Sequence, residues 1–185
     1  KSQWGIDLRD LFVKKLFKKM QNDSSIILLT ADLGFGAFDC FEEFRNTQYF
    51  NVGVSEQLMA SMAAGLSKEG FEVYIYSIGV FPTLRCLEQI RNDICYHNAD
   101  VTVVTVGAGF SYGQLGISHF ATEDIAILRS IPNISILSPC DPWETESLLD
   151  QTKLLGGPKY LRLDKSNSNT KKANILFGIP RKCSN

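Results

Sequence analysis

Asp32, Glu56, Phe81 and His119 each fall just after a run of residues that reads as a β-strand. If those strands share a direction, one crevice collects an acid, a base, an aromatic wall and a polar donor. Glu56 stands in Phe50-Asn51-Val52-Gly53-Val54-Ser55-Glu56-Gln57, where a short strand, a relaxing Gly and a capping Ser55 precede an apolar helix. That order aims the carboxylate at the strand's carboxyl end, although an acid in a first helical turn also serves simply to complement the helix dipole. His119, near the end of a Gly-rich loop, could donate to a hydroxyl or carbonyl oxygen of a substrate, or act only as a structural hydrogen-bonder. Phe81, in Phe81-Pro82-Thr83-Leu84-Arg85, faces the same crevice or staples the entrance of its own helix. Asp32 follows Thr30-Ala31 and is also a natural turn residue.

Several familiar chemistries are excluded. The loop Gly107-Ala108-Gly109-Phe110-Ser111-Tyr112-Gly113 follows a strong strand, yet Tyr112 stands where a dinucleotide fingerprint needs its third Gly, and no G-x-x-x-x-G-K-[ST] motif exists. A loop of this length either shapes a substrate entrance or merely connects. His97 follows a helix and suits a helix-end contact. Two histidines without carboxylates at ligand spacing make no metal site, and no Ser-His-Asp order with a nucleophile elbow is present. Side chains of these types do not suffice for demanding chemistry, so a cofactor is implied.

The elements that must position this set alternate regularly. Residues 26–30, 73–77, 101–106 and 134–137 are continuous apolar or β-branched runs, with short strands expected at 49–52 and 160–163. Helical patterns span 7–21, 55–68, 83–95, 123–130 and 142–154. Gly70 ends the second helix, and Asp141-Pro142 supplies a cap and a first-turn proline to the last. The alternation predicts an α/β fold: a single doubly wound, mostly parallel sheet of about six strands flanked by helices. One domain is expected over residues 1–165, followed by a polar linker or tail over 166–185 that opens Ser-Asn-Ser-Asn-Thr-Lys-Lys.

Composition agrees with an ordinary globular domain: 185 residues, 44% hydrophobic and 21% charged. A formal net charge of -1 offers no field to recruit nucleic acid or an anionic membrane. Lys14, Lys15, Lys18 and Lys19 read as the solvated side of an amphipathic helix. No apolar run approaches the ~18 residues of a membrane span, and the start lacks a signal-peptide profile, which leads to the expectation of a cytoplasmic protein. Cys40, Cys86, Cys95, Cys140 and Cys183 are odd in number and scattered, as expected of reduced thiols.

As an ordered set, Thr30-Ala31-Asp32-Leu33, Asn51-Val52-Gly53-Val54-Ser55-Glu56-Gln57, the stretch 81–93, the stretch 116–124 and Ser138-Pro139-Cys140-Asp141-Pro142 resemble the pyrimidine-binding domain of transketolase-type thiamine-diphosphate enzymes. The likeness is greatest to transketolases split between two polypeptides. It implies that Glu56 holds the pyrimidine ring nitrogen of thiamine diphosphate, favours the imino tautomer and thereby activates the cofactor. A buried carboxyl group suits that role, because low polarity favours a proton that can be shared. The resemblance further implies Phe81 against the aminopyrimidine with Tyr76 taking part, Asp32 at an interface near the cofactor, and His119 facing the substrate. Lys165 falls where relatives often carry a phosphate-binding Arg, but it offers a point charge rather than a bidentate fork.

The diphosphate-binding domain with its Gly-Asp-Gly signature is missing from these residues. A second polypeptide is therefore expected to supply that domain and the Mg2+ ligands, and the chain is expected to be inactive alone. The implied activity is transfer of a two-carbon ketol unit between sugars or sugar phosphates, with symmetric pairing of this domain as a homodimer. The alternatives are a 2-oxo acid dehydrogenase β subunit, a part of a deoxyxylulose-phosphate synthase-like enzyme, or a non-catalytic assembly or regulatory module of the same fold.

Overall fold

In the computed structural model, residues 7–34 and 36–164 are described. Among these residues, six strands pair into one sheet: β1 (Ile26–Thr30), β2 (Tyr49–Asn51), β3 (Glu72–Ile78), β4 (Val101–Val106), β5 (Ser135–Leu137) and β6 (Lys159–Leu163). Their order is β2-β1-β3-β4-β6-β5 and every pair is parallel. All carboxyl ends therefore lie along one edge, and the order reverses between β1 and β3, where open sheets part to form a crevice.

Alternation along β3 shows why both faces are covered. Tyr74 and Tyr76 point into one core with Leu8, Phe12, Leu16 and Met20 of α1 (Leu8–Asn22) and Leu148 and Leu149 of α5 (Pro142–Leu155). Val73 and Ile75 point into the other, against Met59, Ala60 and Ala63 of α2 (Glu56–Lys68) and the helix over 87–95. Burial of a side chain such as Phe12 contributes about 1.5–3 kcal/mol. The small residues of α2 let its axis lie close on the sheet and thereby fix where its first turn sits.

Helix ends follow local chemistry. Asp7 caps α1 by accepting from the Arg9 amide at 2.8 Å. Gly70, at φ 93°, closes α2: the Phe71 amide donates to the Leu66 carbonyl at 3.3 Å and the Gly70 amide to the Ser67 carbonyl at 3.1 Å. Asp141 accepts from the Glu144 amide at 2.7 Å while Glu144 accepts from the Cys140 amide at 2.8 Å, a reciprocal cap for α5.

Three expectations need correction. The helix expected over 83–95 starts later: residues 81–86 form successive turns, α3 proper is Leu87–Gln89, and it continues as a π-helical segment Ile90–Cys95. Pro82 has no amide to donate, and the Thr83 hydroxyl bonds the Gly79 carbonyl at 3.0 Å, which holds this entrance as turns. Ser55 stands at the cap position of α2, but its hydroxyl makes no capping bond; at φ -141° and ψ 57° only its backbone serves the helix. The lysines of α1 are not uniformly solvated. Lys15 pairs with Glu146 and Asp150 at 2.8 and 3.2 Å, and Lys19 reaches buried Glu72 and Tyr74 at 3.1 and 3.0 Å, tying α1 to α5 and β3.

The helix expected over 123–130 is α4 (Asp124–Leu128). Among the described residues no helix is long and apolar enough to cross a membrane. The cysteines described, Cys40, Cys86, Cys95 and Cys140, are free thiols. The expected tail over 166–185 lies outside the described residues.

Candidate functional site

Glu56 opens α2 directly after the carboxyl end of β2. The turn between them is built by Asn51, whose Oδ1 accepts from the Asp32 and Gly53 amides at 2.9 and 3.0 Å. Gly53 takes φ 72° and Asp32 φ 50°, so both bend in the left-handed region, which costs a Gly little and an Asp only modestly. Behind this bend the Glu56 side chain is 4% exposed, yet it is not alone. Its Oε1 accepts from Arg85 Nη1 at 2.8 Å. The burial expected of this carboxyl group is thus accompanied by an opposing charge.

Arg85 belongs to the turns that come after β3. Its backbone is held by a bond from Gln57 Nε2 to its carbonyl at 3.2 Å, and its guanidinium lies 4.5 Å from the centroid of the Phe81 ring. The edge of His119 meets the same ring, with centroids 5.1 Å apart and planes at 68°. Glu56, Arg85, Phe81 and His119 therefore form one contiguous chain of contacts. Val80, Phe81, Leu84, Arg85, Phe110 and Ile117 are among the residues lining a hollow of 490 Å³ beside it.

The loop carrying His119 leaves β4 and is tied down at several points. Gly109 and Ala121 exchange amide bonds at 2.9 Å in both directions, which makes the loop return on itself. Gly107, at φ 91°, leaves room for Tyr112; a Cβ there would lie 2.1 Å from the Tyr112 ring. Buried Asp124, at the start of α4, accepts from the Tyr160 hydroxyl at 2.6 Å and Arg162 Nε at 2.8 Å, while Arg162 Nη2 donates to the Ala121 carbonyl at 3.1 Å. Burial pushes the Tyr160 phenol above its ordinary range, with the Asp124 charge adding to the shift, so it stays a donor. Within the loop, the Ser118 hydroxyl and His119 Nδ1 lie 3.0 Å apart.

The structure thus brings Glu56, Phe81 and His119 together. Asp32 lies beside them, bonded to Asn51 in a second, polar hollow of 470 Å³ that Arg45, Asn46, Tyr49 and Gly53 also line. Tyr76 is not among them. It is 1% exposed in the core on the α1 side, stacked on Phe12 and edge-on to Phe38, because its position in β3 turns it away from α2. Burial pushes its phenol above the ordinary range. Lys165 lies outside the described residues.

Sequence reasoning missed Arg85, Asn51 and the Asp124–Arg162 pair as contributors. Arg85 and Asn51 sit inside the stretches that were singled out, but nothing in the spacing shows which neighbours they would meet. Cys86, next in sequence to Arg85, is buried; burial first and the Glu56 charge second push its thiol up to about 12, which disfavours the thiolate.

Of this chain of contacts, Phe81 and Arg85 line the apolar-sided hollow, while the buried acid Glu56 and the imidazole of His119 adjoin it through them; such a set can orient a flat, nitrogen-bearing ring. The sequence profile of the family described as "Transketolase, pyrimidine binding domain" matches residues 5–171. The chain is 36% identical over 155 residues to a putative transketolase C-terminal section of Methanocaldococcus jannaschii, covering 83% of the chain and 48% of that protein. It is 30% identical over 162 residues to a subunit of the apulose-4-phosphate transketolase of Phocaeicola vulgatus, covering 87% and 52%. A 1-deoxy-D-xylulose-5-phosphate synthase of Lawsonia intracellularis is 32% identical over 159 residues, with 85% and 25% covered. Among solved structures, a split-gene transketolase described as an inactive beta4 tetramer superposes with a TM-score of 0.80 at 32% identity, over 94% of this chain and 56% of that one. The chain spans about half the length of the first two relatives.

Proposed function

The chain belongs to the transketolase pyrimidine-binding domain family, and from that premise we propose that it is the pyrimidine-binding part of a transketolase-like enzyme working with thiamine diphosphate. The observation that carries this reading is the burial of Glu56 at the carboxyl edge of a parallel sheet, in contact through Arg85 with Phe81 and His119. The donor set fits the group. A pyrimidine nitrogen needs a sheltered acid, and the ring needs an aromatic face. When bound, thiamine diphosphate supplies the electron sink for breaking a carbon–carbon bond, which none of these side chains offers.

Glu56 would hold the pyrimidine nitrogen and share a proton with it, and Phe81 would cover a ring face. His119 presents Nε2 to a hydroxyl or carbonyl oxygen of a sugar or sugar phosphate. Phe110, Ile117 and Phe120 give the hollow beside Phe81 and Arg85 its apolar side. Asp32 and Asn51 hold the turn that presents Glu56, and on this reading Asp32 would face the cofactor-side interface. Lys165 is assigned to a substrate phosphate.

The relatives named as a subunit and a C-terminal section support the view that a partner chain completes the site and carries Mg2+ and the diphosphate. Self-association of this chain belongs to the same reading, supported by the tetrameric split-gene structure. The similarity to a deoxyxylulose-phosphate synthase favours a second reading, with pyruvate as donor instead of a ketose.

Turnover by the reconstituted complex, with ketose phosphates and pyruvate compared as donors, separates the two readings. Glu56→Ala is expected to lower kcat by about 10²–10⁴ without unfolding the chain. Unchanged turnover would remove Glu56 from the chemistry and leave a scaffolding module.

A further inference from the structure

We propose that Arg85 is a built-in stand-in for the aminopyrimidine: without ligand its guanidinium occupies both contacts that the ring requires, and binding must displace it. The proposal rests on the reading of Glu56 and Phe81 given above. A guanidinium and an aminopyrimidine are alike where it matters. Both are flat and both can stack on an aromatic face while turning an in-plane nitrogen to a carboxyl group, the guanidinium as an N–H donor and the pyrimidine ring nitrogen through the proton it shares with Glu56. Arg85 does both at once, with Nη1 2.8 Å from Glu56 Oε1 and Cζ 4.5 Å from the Phe81 centroid.

The exposures show which partner can leave. Glu56 is 4% exposed and fixed in the first turn of α2, whereas the Arg85 side chain is 46% exposed. The Arg85 backbone is anchored by Gln57 at its carbonyl and by its own amide to the Val80 carbonyl at 3.4 Å, so only the side chain need swing outward. Until then the ion pair spares Glu56 from being a buried charge without a partner. The swap also makes the site selective. A ligand that cannot replace both the proton-sharing contact to Glu56 and the stacking surface leaves Arg85 in place.

The test titrates the ¹⁵N-labelled chain with the hydroxymethyl aminopyrimidine moiety of thiamine, tracking amide signals of residues 79–86 and the Arg85 Nε–H signal. Wild type, R85M, R85K and E56A are compared. R85M is expected to bind about three- to tenfold more tightly than wild type, because a half-exposed competitor is removed. R85K, charged but not flat, is expected to fall between them. In wild type the Arg85 signal is expected to move as the ligand saturates. Should R85M fail to fold, R85K decides the matter. Binding by these variants that is equal to wild type, weaker or undetectable overturns the stand-in role. E56A binding as well as wild type would overturn instead the assignment of Glu56 to the pyrimidine, so the two failures are distinguishable.

Discussion

Asp124→Ala tests whether the loop that carries His119 is held in place by one buried charge. Asp124 is 2% exposed, and its Oδ2 takes both the Tyr160 hydroxyl and Arg162 Nε. Deleting it leaves Tyr160 with Thr105, 2.9 Å away, but leaves Arg162, whose side chain is 19% exposed, without its counter-charge. Removing one partner of a buried pair costs about 3–5 kcal/mol. Partial exposure of Arg162, together with the fact that Asp124 Oδ1 is buried without a hydrogen-bond partner and so already carries a desolvation cost, places the loss near the lower end, ~3 kcal/mol. For a chain of this size that corresponds to a fall in Tm of about 6–12 °C. Asp124→Asn keeps an acceptor and loses the charge, and is expected to cost roughly half as much. Thermal melts by circular dichroism measure the loss, and hydrogen exchange at the Gly109 and Ala121 amides should quicken, because Arg162 also anchors the Ala121 carbonyl. A loss under ~1 kcal/mol, or unchanged exchange at those amides, would refute the argument that this pair fixes the loop.

Gly107→Ala sets a Cβ against the Tyr112 ring at a φ of 91°, and is expected to cost ~2 kcal/mol and to broaden the His119 resonances; a stable variant with an unaltered His119 spectrum contradicts it. Asp23 has its carboxyl held at about 2 by the Ser25 hydroxyl first, then the Ser25 amide and Lys153. A depressed carboxylate stabilises the fold above its unfolded value of ~3.9 and loses that contribution as pH falls towards 2. Melting curves across that window should therefore show a steeper acid loss in wild type than in Ser25→Ala. Burial pushes the Cys86 and Cys95 thiols up to about 12 and about 11. Peptide mapping after brief iodoacetamide treatment should find both unmodified in the native chain and modified after denaturation, and early labelling of either would show that its segment opens.

The alternation of apolar runs with helical patterns determined the class of fold and the parallel sense of the sheet, because a strand covered on both faces and joined to the next by a helix has few other arrangements. It also placed Glu56, Phe81 and His119 after strands, and parallel strands deliver the segments leaving their carboxyl ends to one edge. Gly70 and Asp141-Pro142 marked helix boundaries for the same local reason: backbone conformation and missing donors act within a few residues. The outcome of pairing was not legible. Tyr76 reads as well for a crevice as for a core, and only its register on β3 turns it towards Phe12. Lys15 and Lys19 read as a solvated stripe until α5 and β3 bring acids within reach. Arg85 meets Glu56 across 29 residues of chain and Arg162 meets Asp124 across 38. Such contacts depend on distances set by helix packing and strand order, which no local pattern encodes, and they are where the charge of this site is balanced.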